Sequence, residues 1–290
     1  MTDFRLKPWR LPIASGLRIA SLMVTSLMVA SLMVTGLNAA RADDIVLPDD
    51  PVARGLAIAQ ESDRRDAGWH DASADMQMIL KNANGETSER ELSFQMLEVA
   101  TPDEGDWSLM TFSKPRDISG TALLTYAHVK QADEQWLYLP AVKRVKRISS
   151  ANKSGPFVGS EFAFEDLAAQ EVGKFTYQWL RDEPCADLTC HVVERRPLYE
   201  NSGYTRQIVW IDTTHYKERR IDYHDRKDAL LKTLTCEGYT LYLGKFWRPA
   251  KLTMVNHESG KTTQLVWESY AFQTGLSESD FSAASLERAH

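Results

Sequence analysis

Between residues 74 and 272 the chain repeats one device about a dozen times: a short segment with apolar side chains at alternate positions, then a polar connection. Met76, Met78 and Leu80 alternate with Asp75, Gln77 and Lys81, Ile79 being the exception on the polar side. After a turn signal at Asn84-Gly85, Leu92, Phe94 and Met96 alternate with Glu91, Ser93 and Gln95. A period of two sends such side chains to one face of a strand, and Asn-Gly between two runs marks a hairpin. The pattern predicts further strands at 107–112, 121–129, 135–139, 144–148, 174–181, 191–195, 205–211, 217–224, 230–239, 246–256 and 262–272. Strands that follow one another through short connections predict a mainly β fold built on one large antiparallel sheet. A sheet of that size curls, and its greasy face needs a cover.

Three segments are available as covers. Residues 51–65 read as an amphipathic helix: Asp49 or Asp50 can cap it, Pro51 suits its first turn, and Val52, Leu56 and Ala59 recur at helical spacing. The connections 113–120 and 149–167 are too long for hairpin turns, and the second is expected to hold a short helix near 162–169. If a cover moves, the apolar side chains beneath it line a ligand cavity. The expected lining is Met76, Met78, Leu80, Leu92, Phe94, Met96, Trp136, Trp210, Met254 and Trp267, since methionine and aromatic groups adapt to a flexible acyl chain. The alternative is that the same residues form a packed core.

The N-terminus carries Arg5, Lys7, Arg10 and Arg18, an apolar run over 19–37, then Ala40-Arg41-Ala42 with small residues where a signal peptidase reads. This predicts a secretory signal peptide over residues 1–42, cleaved near Ala42, and one domain over 43–290. A retained anchor fits the length of the run but not the cleavage signal or the acidic Asp43-Asp44 after it. Cleavage removes five basic residues and one acidic residue from totals of 34 and 40, which leaves 29 against 39 and a formal charge of −10. So acidic a body argues against nucleic acid as a partner.

The three cysteines are Cys185, Cys190 and Cys236. In an oxidising compartment Cys185 and Cys190, across a short loop, are expected to form a disulfide, with Cys190–Cys236 left open as the other pairing. Their spacing does not resemble a metal site without a second pair of ligands. No cofactor or metal is expected, and no catalytic residue: there is no His-Glu-x-x-His, no Gly-x-Ser-x-Gly and no Cys-His signal. Asp212-Thr213-Thr214-His215 reads as a turn between two strands.

The densest run of cations, Lys143, Arg144, Lys146 and Arg147, lies in a predicted strand. Alternation puts Arg144 and Lys146 on one face and Arg147 on the other with Val145. A cation beside the greasy face wants an anionic partner, a lipid headgroup or a carboxylate on a binding partner. A solvated edge strand guarded by its charges is the plainer reading.

From Trp136-Leu137-Tyr138-Leu139-Pro140-Ala141 through Arg147-Ile148-Ser149-Ser150 to Gly159-Ser160-Glu161-Phe162, the chain resembles the LolA-like outer membrane lipoprotein-sorting family. Further matches are Trp210-Ile211-Asp212, Leu231-Lys232-Thr233-Leu234, Trp247-Arg248-Pro249 and Gly275-Leu276-Ser277-Glu278-Ser279-Asp280-Phe281. The resemblance implies a half-open β-barrel closed by helices, and a periplasmic carrier of lipid or lipoprotein acyl chains rather than an enzyme. It also implies an RND/MMPL-type inner-membrane transporter as partner. An accessory subunit that docks on a transporter without carrying cargo is the alternative.

Overall fold

Asp50 accepts a 2.8 Å hydrogen bond from the Ala53 amide and Pro51 follows it, which starts α1 (Pro51–Asp66) where the sequence puts it. The computed structural model describes residues 45–288 apart from Ala100 and Pro102, so the expected signal peptide lies outside the described residues. The face that α1 buries is Gly55, Ile58 and Ala59, whereas Val52 and Leu56 are exposed, a correction to the expected stripe. The reason is the close approach at Gly55, where a Cβ would sit 2.7 Å from the Trp179 amide nitrogen. Only glycine lets the helix lie on that backbone, and its contact turns Val52 and Leu56 outward.

Fifteen strands follow: β1 (Asp71–Lys81), β2 (Thr87–Leu97), β3 (Glu104–Lys114), β4 (Ala122–His128), β5 (Glu134–Leu139), β6 (Arg144–Arg147), β7 (Phe175–Cys185), β8 (Leu188–Pro197), β9 (Tyr204–Asp212), β10 (Glu218–Asp225), β11 (Leu230–Glu237), β12 (Thr240–Tyr242), β13 (Phe246–Arg248), β14 (Lys251–Asn256) and β15 (Thr262–Phe272). A short α2 (Ala283–Arg288) closes the described chain. Thirteen strands form one antiparallel sheet in the order β6-β5-β4-β3-β2-β1-β15-β14-β11-β10-β9-β8-β7. No ladder joins β6 to β7, so the sheet is an open barrel wall rather than a closed barrel. The run 230–239, read from sequence as one strand, is one strand that stops short at Glu237, whereas the run 246–256, also read as one strand, is two. Glu237 ends β11 ahead of Gly238 in the left-handed region, and Pro249, which has no amide hydrogen for a ladder, separates β13 from β14. β13, cut off by Pro249, pairs with β12, a strand not expected from sequence, as a separate hairpin.

Register fixes which side chains share a face. Met76 pairs with Leu92 on one side and Trp267 on the other; Leu92 pairs with Phe112, and Leu234 with Met254. These residues, with Met78, Val209, Val193 and Ile221, form the main core, and Ile58 and Ala59 of α1 and Phe157, Phe162 and Phe164 of the β6–β7 connection pack over it. The expected short helix in that connection is a 3-10 turn at Phe164–Leu167. The opposite face carries a smaller cluster in which Leu109, Leu124 and Tyr138 meet Phe281 and Leu286 from the C-terminal segment. Among the described residues no helix is long and apolar enough to cross a membrane.

Candidate functional site

The long connection from β6 to β7 lies over the covered face of the sheet, held there by polar side chains that reach up from the strands. Lys232 donates to the Asp166 carboxylate at 2.6 Å and to the Glu161 carbonyl at 3.0 Å. Asn256 donates to the Glu161 carboxylate at 2.7 Å, Thr263 accepts from the Glu161 amide at 2.9 Å, and Arg90 donates to the Val158 carbonyl at 2.5 Å. Tyr204 donates to the other oxygen of Asp166 at 2.8 Å. Beneath these links the cover presents Phe157, fully buried and stacked on Phe112 at 5.7 Å. Glu165 faces the other way and takes hydrogen bonds from Tyr199, Ser202 and the Gly203 amide. Burial pushes its carboxyl up, against the pull of those donors. Short apolar contact and buried polar clamps therefore alternate along the cover.

Where the cover runs on toward β7, a cavity of about 400 Å³ opens between it, α1 and the sheet. Val193, Val209 and Ile211 make its floor and Trp69 and Met96 one side. The floor residues belong to the main core, so cavity and core are one continuous apolar region. Charged groups crowd the mouth. Asp66 accepts from Lys217 at 2.5 Å and from Arg248 at 2.6 Å. Burial opposes ionisation of Asp66, but the Arg248 and Lys217 charges outweigh it and hold the carboxyl below its usual range. Arg195, nearly fully buried, is tied to Gln207 at 2.6 Å and Glu218 at 2.8 Å. Asp106 is different: burial, with the nearby charges of Glu171, Glu98 and Asp66, pushes its carboxyl up to about 8.

The expected cavity lining divides. Met76, Met78, Leu80, Leu92, Phe94, Met96, Met254 and Trp267 share the covered face by register. Of these only Met96 borders the 400 Å³ cavity, and Met76, Met78 and Met254 are wholly enclosed in the core. Trp136 and Trp210 are on the opposite face, which corrects the expectation that all ten line one cavity. Trp136 pairs with Leu124 and packs edge-on to Tyr126, while Trp210 pairs with Val192 and lies under Arg220 at 4.6 Å. Tryptophan looks the same in sequence on either face; only the register, set by strand pairing, separates them. Missed altogether were Asp106, Glu171 and Tyr177, whose positions depend on contacts between distant segments. Gly105 was the available signal, since a Cβ there would sit 2.3 Å from a Glu171 carboxylate oxygen.

The basic residues stand on the edge strand β6, and Arg144, Lys146 and Arg147 are all exposed. Arg144 and Lys146 share the covered face with Leu139 and Leu137, their register partners, and no ion-pair partner of either is found among the described residues. Arg147, on the other face, pairs with Glu134 and lies 5.9 Å from the Trp136 ring. Cys185 and Cys190 form a disulfide, and Cys236 is a buried free thiol. Residues 213–216 form the expected turn, with buried Asp212 accepting from the Thr214 and His215 amides.

An open antiparallel barrel wall with helix and long connection over one face defines the LolA-like class. The chain belongs to the LolA-like outer membrane lipoprotein-sorting family, which is not a family of enzymes. A candidate outer membrane lipoprotein-sorting protein domain from Vibrio parahaemolyticus is 50% identical, with a TM-score of 0.80 over 82% of this chain and 100% of that one. A DUF1329 family protein from Desulfovibrio piger is 27% identical, with a TM-score of 0.77 over 82% of this chain and 99% of that one. A LolA superfamily protein from Nitrosomonas europaea has the same fold at 18% identity, with a TM-score of 0.63 over 80% of this chain and 98% of that one. A family model described as that of an uncharacterized protein matches residues 104–288, and no curated protein matches.

Proposed function

We propose that the protein, exported and cleaved near Ala42, is a periplasmic carrier that takes lipid or lipoprotein acyl chains under its cover and moves them between membranes. The observation that carries this reading is the cavity of about 400 Å³ whose floor is the core itself. That volume is within the range of small-molecule pockets. A chain entering it meets methionine and aromatic side chains that can repack, and room grows as the cover lifts. Because no ladder joins β6 to β7, lifting the connection between them breaks no strand pairing. An RND/MMPL-type inner-membrane transporter is the proposed partner. Arg144, Lys146 and Arg147 are the proposed contact with its acidic surface or with anionic headgroups.

The accessory-subunit reading has its own support, in the complete burial of Met78 and Met254 as ordinary core. Native mass spectrometry of protein purified from its own periplasm, followed by displacement titration of a fluorescent fatty acid, separates the two. Co-purified lipid and saturable binding near one ligand per chain are expected. Absence of both would leave only docking.

A further inference from the structure

The charged mouth of the cavity is not balanced. Lys217 and Arg248 are both spent on Asp66, and Arg195 on Glu218. Asp63 at the exposed rim, and Asp106 and Glu171 half-buried behind it, line the same cavity and have no ion-pair partner among the described residues. Glu171 does accept a hydrogen bond from the Asp106 amide, which draws the two carboxylates together. Two carboxyl groups side by side do not both ionise without repulsion, so one keeps its proton unless something cationic relieves the pair. A second observation comes from a different element. Tyr177 of β7 is 92% buried, being 8% exposed, and lines the cavity, yet its hydroxyl makes no hydrogen bond with a described residue. It lies near Asp63 and Glu171 as well as the paired Arg195 and Glu218. The hydroxyl oxygen is not sealed in the core but reachable from the cavity that the side chain lines, and a tyrosine oxygen there can accept from a cation.

Which cation fits is decided by spacing and by the floor. No group of three or more carboxylate, histidine or cysteine ligands among the described residues converges closely enough to hold a metal ion. Spread acceptors around an apolar well suit a primary ammonium, whose three N–H bonds diverge, on an alkyl tail. We propose that this cavity recognises amphiphiles through an ammonium group, with Asp106, Glu171 and Asp63 as counter-charges, the Tyr177 hydroxyl as a neutral acceptor, and the tail on Val193, Val209 and Ile211. The proposal rests on the carrier reading and gives it a headgroup chemistry.

The state of Asp106 supplies a signature. Its carboxyl, pushed up to about 8, is mostly protonated at pH 7 in the empty protein. An ammonium placed beside it favours the carboxylate, so binding expels a proton, whereas a neutral alcohol expels none.

The test titrates the mature protein at pH 7 with a long-chain primary alkylamine, the alcohol and the carboxylate of equal chain length, each below self-association. Calorimetry in two buffers of different ionisation enthalpy counts protons. The amine is expected to bind at least roughly tenfold tighter than the alcohol, a charge-assisted hydrogen bond's worth, and to release protons. In Asp106→Asn/Glu171→Gln, and separately in Tyr177→Phe, the amine-to-alcohol ratio should fall toward one. The wild-type comparison stands even if a variant does not fold. Equal affinity for amine and alcohol, or preference for the carboxylate, overturns this inference and leaves the carrier reading in place. Saturable binding of none of the three overturns both.

Discussion

Lys232 and Asp166 form a 2.6 Å ion pair between a central strand and the cover, with side chains only 5% and 2% exposed. The ammonium also donates to the Glu161 carbonyl and lies 5.2 Å from the rings of Tyr204 and Tyr223. Removing one partner strands the other in a dry site. Asp166→Ala is expected to cost about 3–5 kcal/mol, while Lys232→Met/Asp166→Leu recovers most of that loss. Urea unfolding checks it, and a single-variant loss below about 1 kcal/mol would show that the site is wet.

Face assignment makes a second expectation. Phe94, half-buried on the covered face, should matter for acyl binding, and Trp136, on the far face, should not. Phe94→Ala is expected to raise the Kd for a fluorescent fatty acid and Trp136→Ala to leave it unchanged. The reverse order would mean that cargo uses the outer face. Met254→Ala is expected to act on folding, with a loss of about 2–5 kcal/mol for a truncated core side chain.

The Cys185–Cys190 bridge closes a very short loop, so the chain-entropy gain is small, about 2 kcal/mol. Cys185→Ser/Cys190→Ser should lower stability by that order without abolishing folding. Burial pushes the Cys236 thiol up to about 12, so it should resist alkylation until the protein unfolds. Rapid labelling of Cys236 in the native protein would contradict the assignment.

Asp106 gives the pH expectation. Its ordinary value is 3.8, and in the folded chain it is about 8. Between those two pH values the folded state keeps a proton that the unfolded state has lost, so this residue's contribution to stability falls as pH rises through that window. Asp106→Asn should therefore gain in melting temperature relative to the parent between pH 5 and pH 8. Parallel curves would place Asp106 in contact with water or an unseen cation.

Arg144, Lys146 and Arg147 are exposed, so exchanging all three for Gln should change stability by less than about 1 kcal/mol each. Binding to an anionic vesicle or an acidic partner should fall and lose its salt dependence. Normal binding at low salt would leave β6 as a guarded edge and nothing more.

Alternation alone was enough to read the sheet, because each hairpin is a local object whose turn and period are written in adjacent residues. The failures share a cause. Val52 and Leu56 obey helical spacing, but the helix turned on Gly55, whose partner backbone at Trp179 is far along the chain. The run 246–256 looked continuous because one Pro249 is easily absorbed into a strand edge. Trp136 and Trp210 needed a register that no short window holds. The Asp106–Glu171–Tyr177 group joins β3, the end of the cover and β7, three segments far apart in sequence, and none of its residues carries a local motif.

β1 sits at the middle of the sheet with β2 on one side and β15, the last strand made, on the other. Met76 and its partner Trp267 therefore wait for almost the whole chain before they meet. During N-to-C synthesis two half-sheets, β1 to β6 and β7 to β14, can each grow by successive hairpins while the edge of β1 stands open. The arrival of β15 sews them together. A ribosome stalled before residue 262, or a protease that trims the last strand, would thus leave two sticky half-walls rather than a slightly shortened protein.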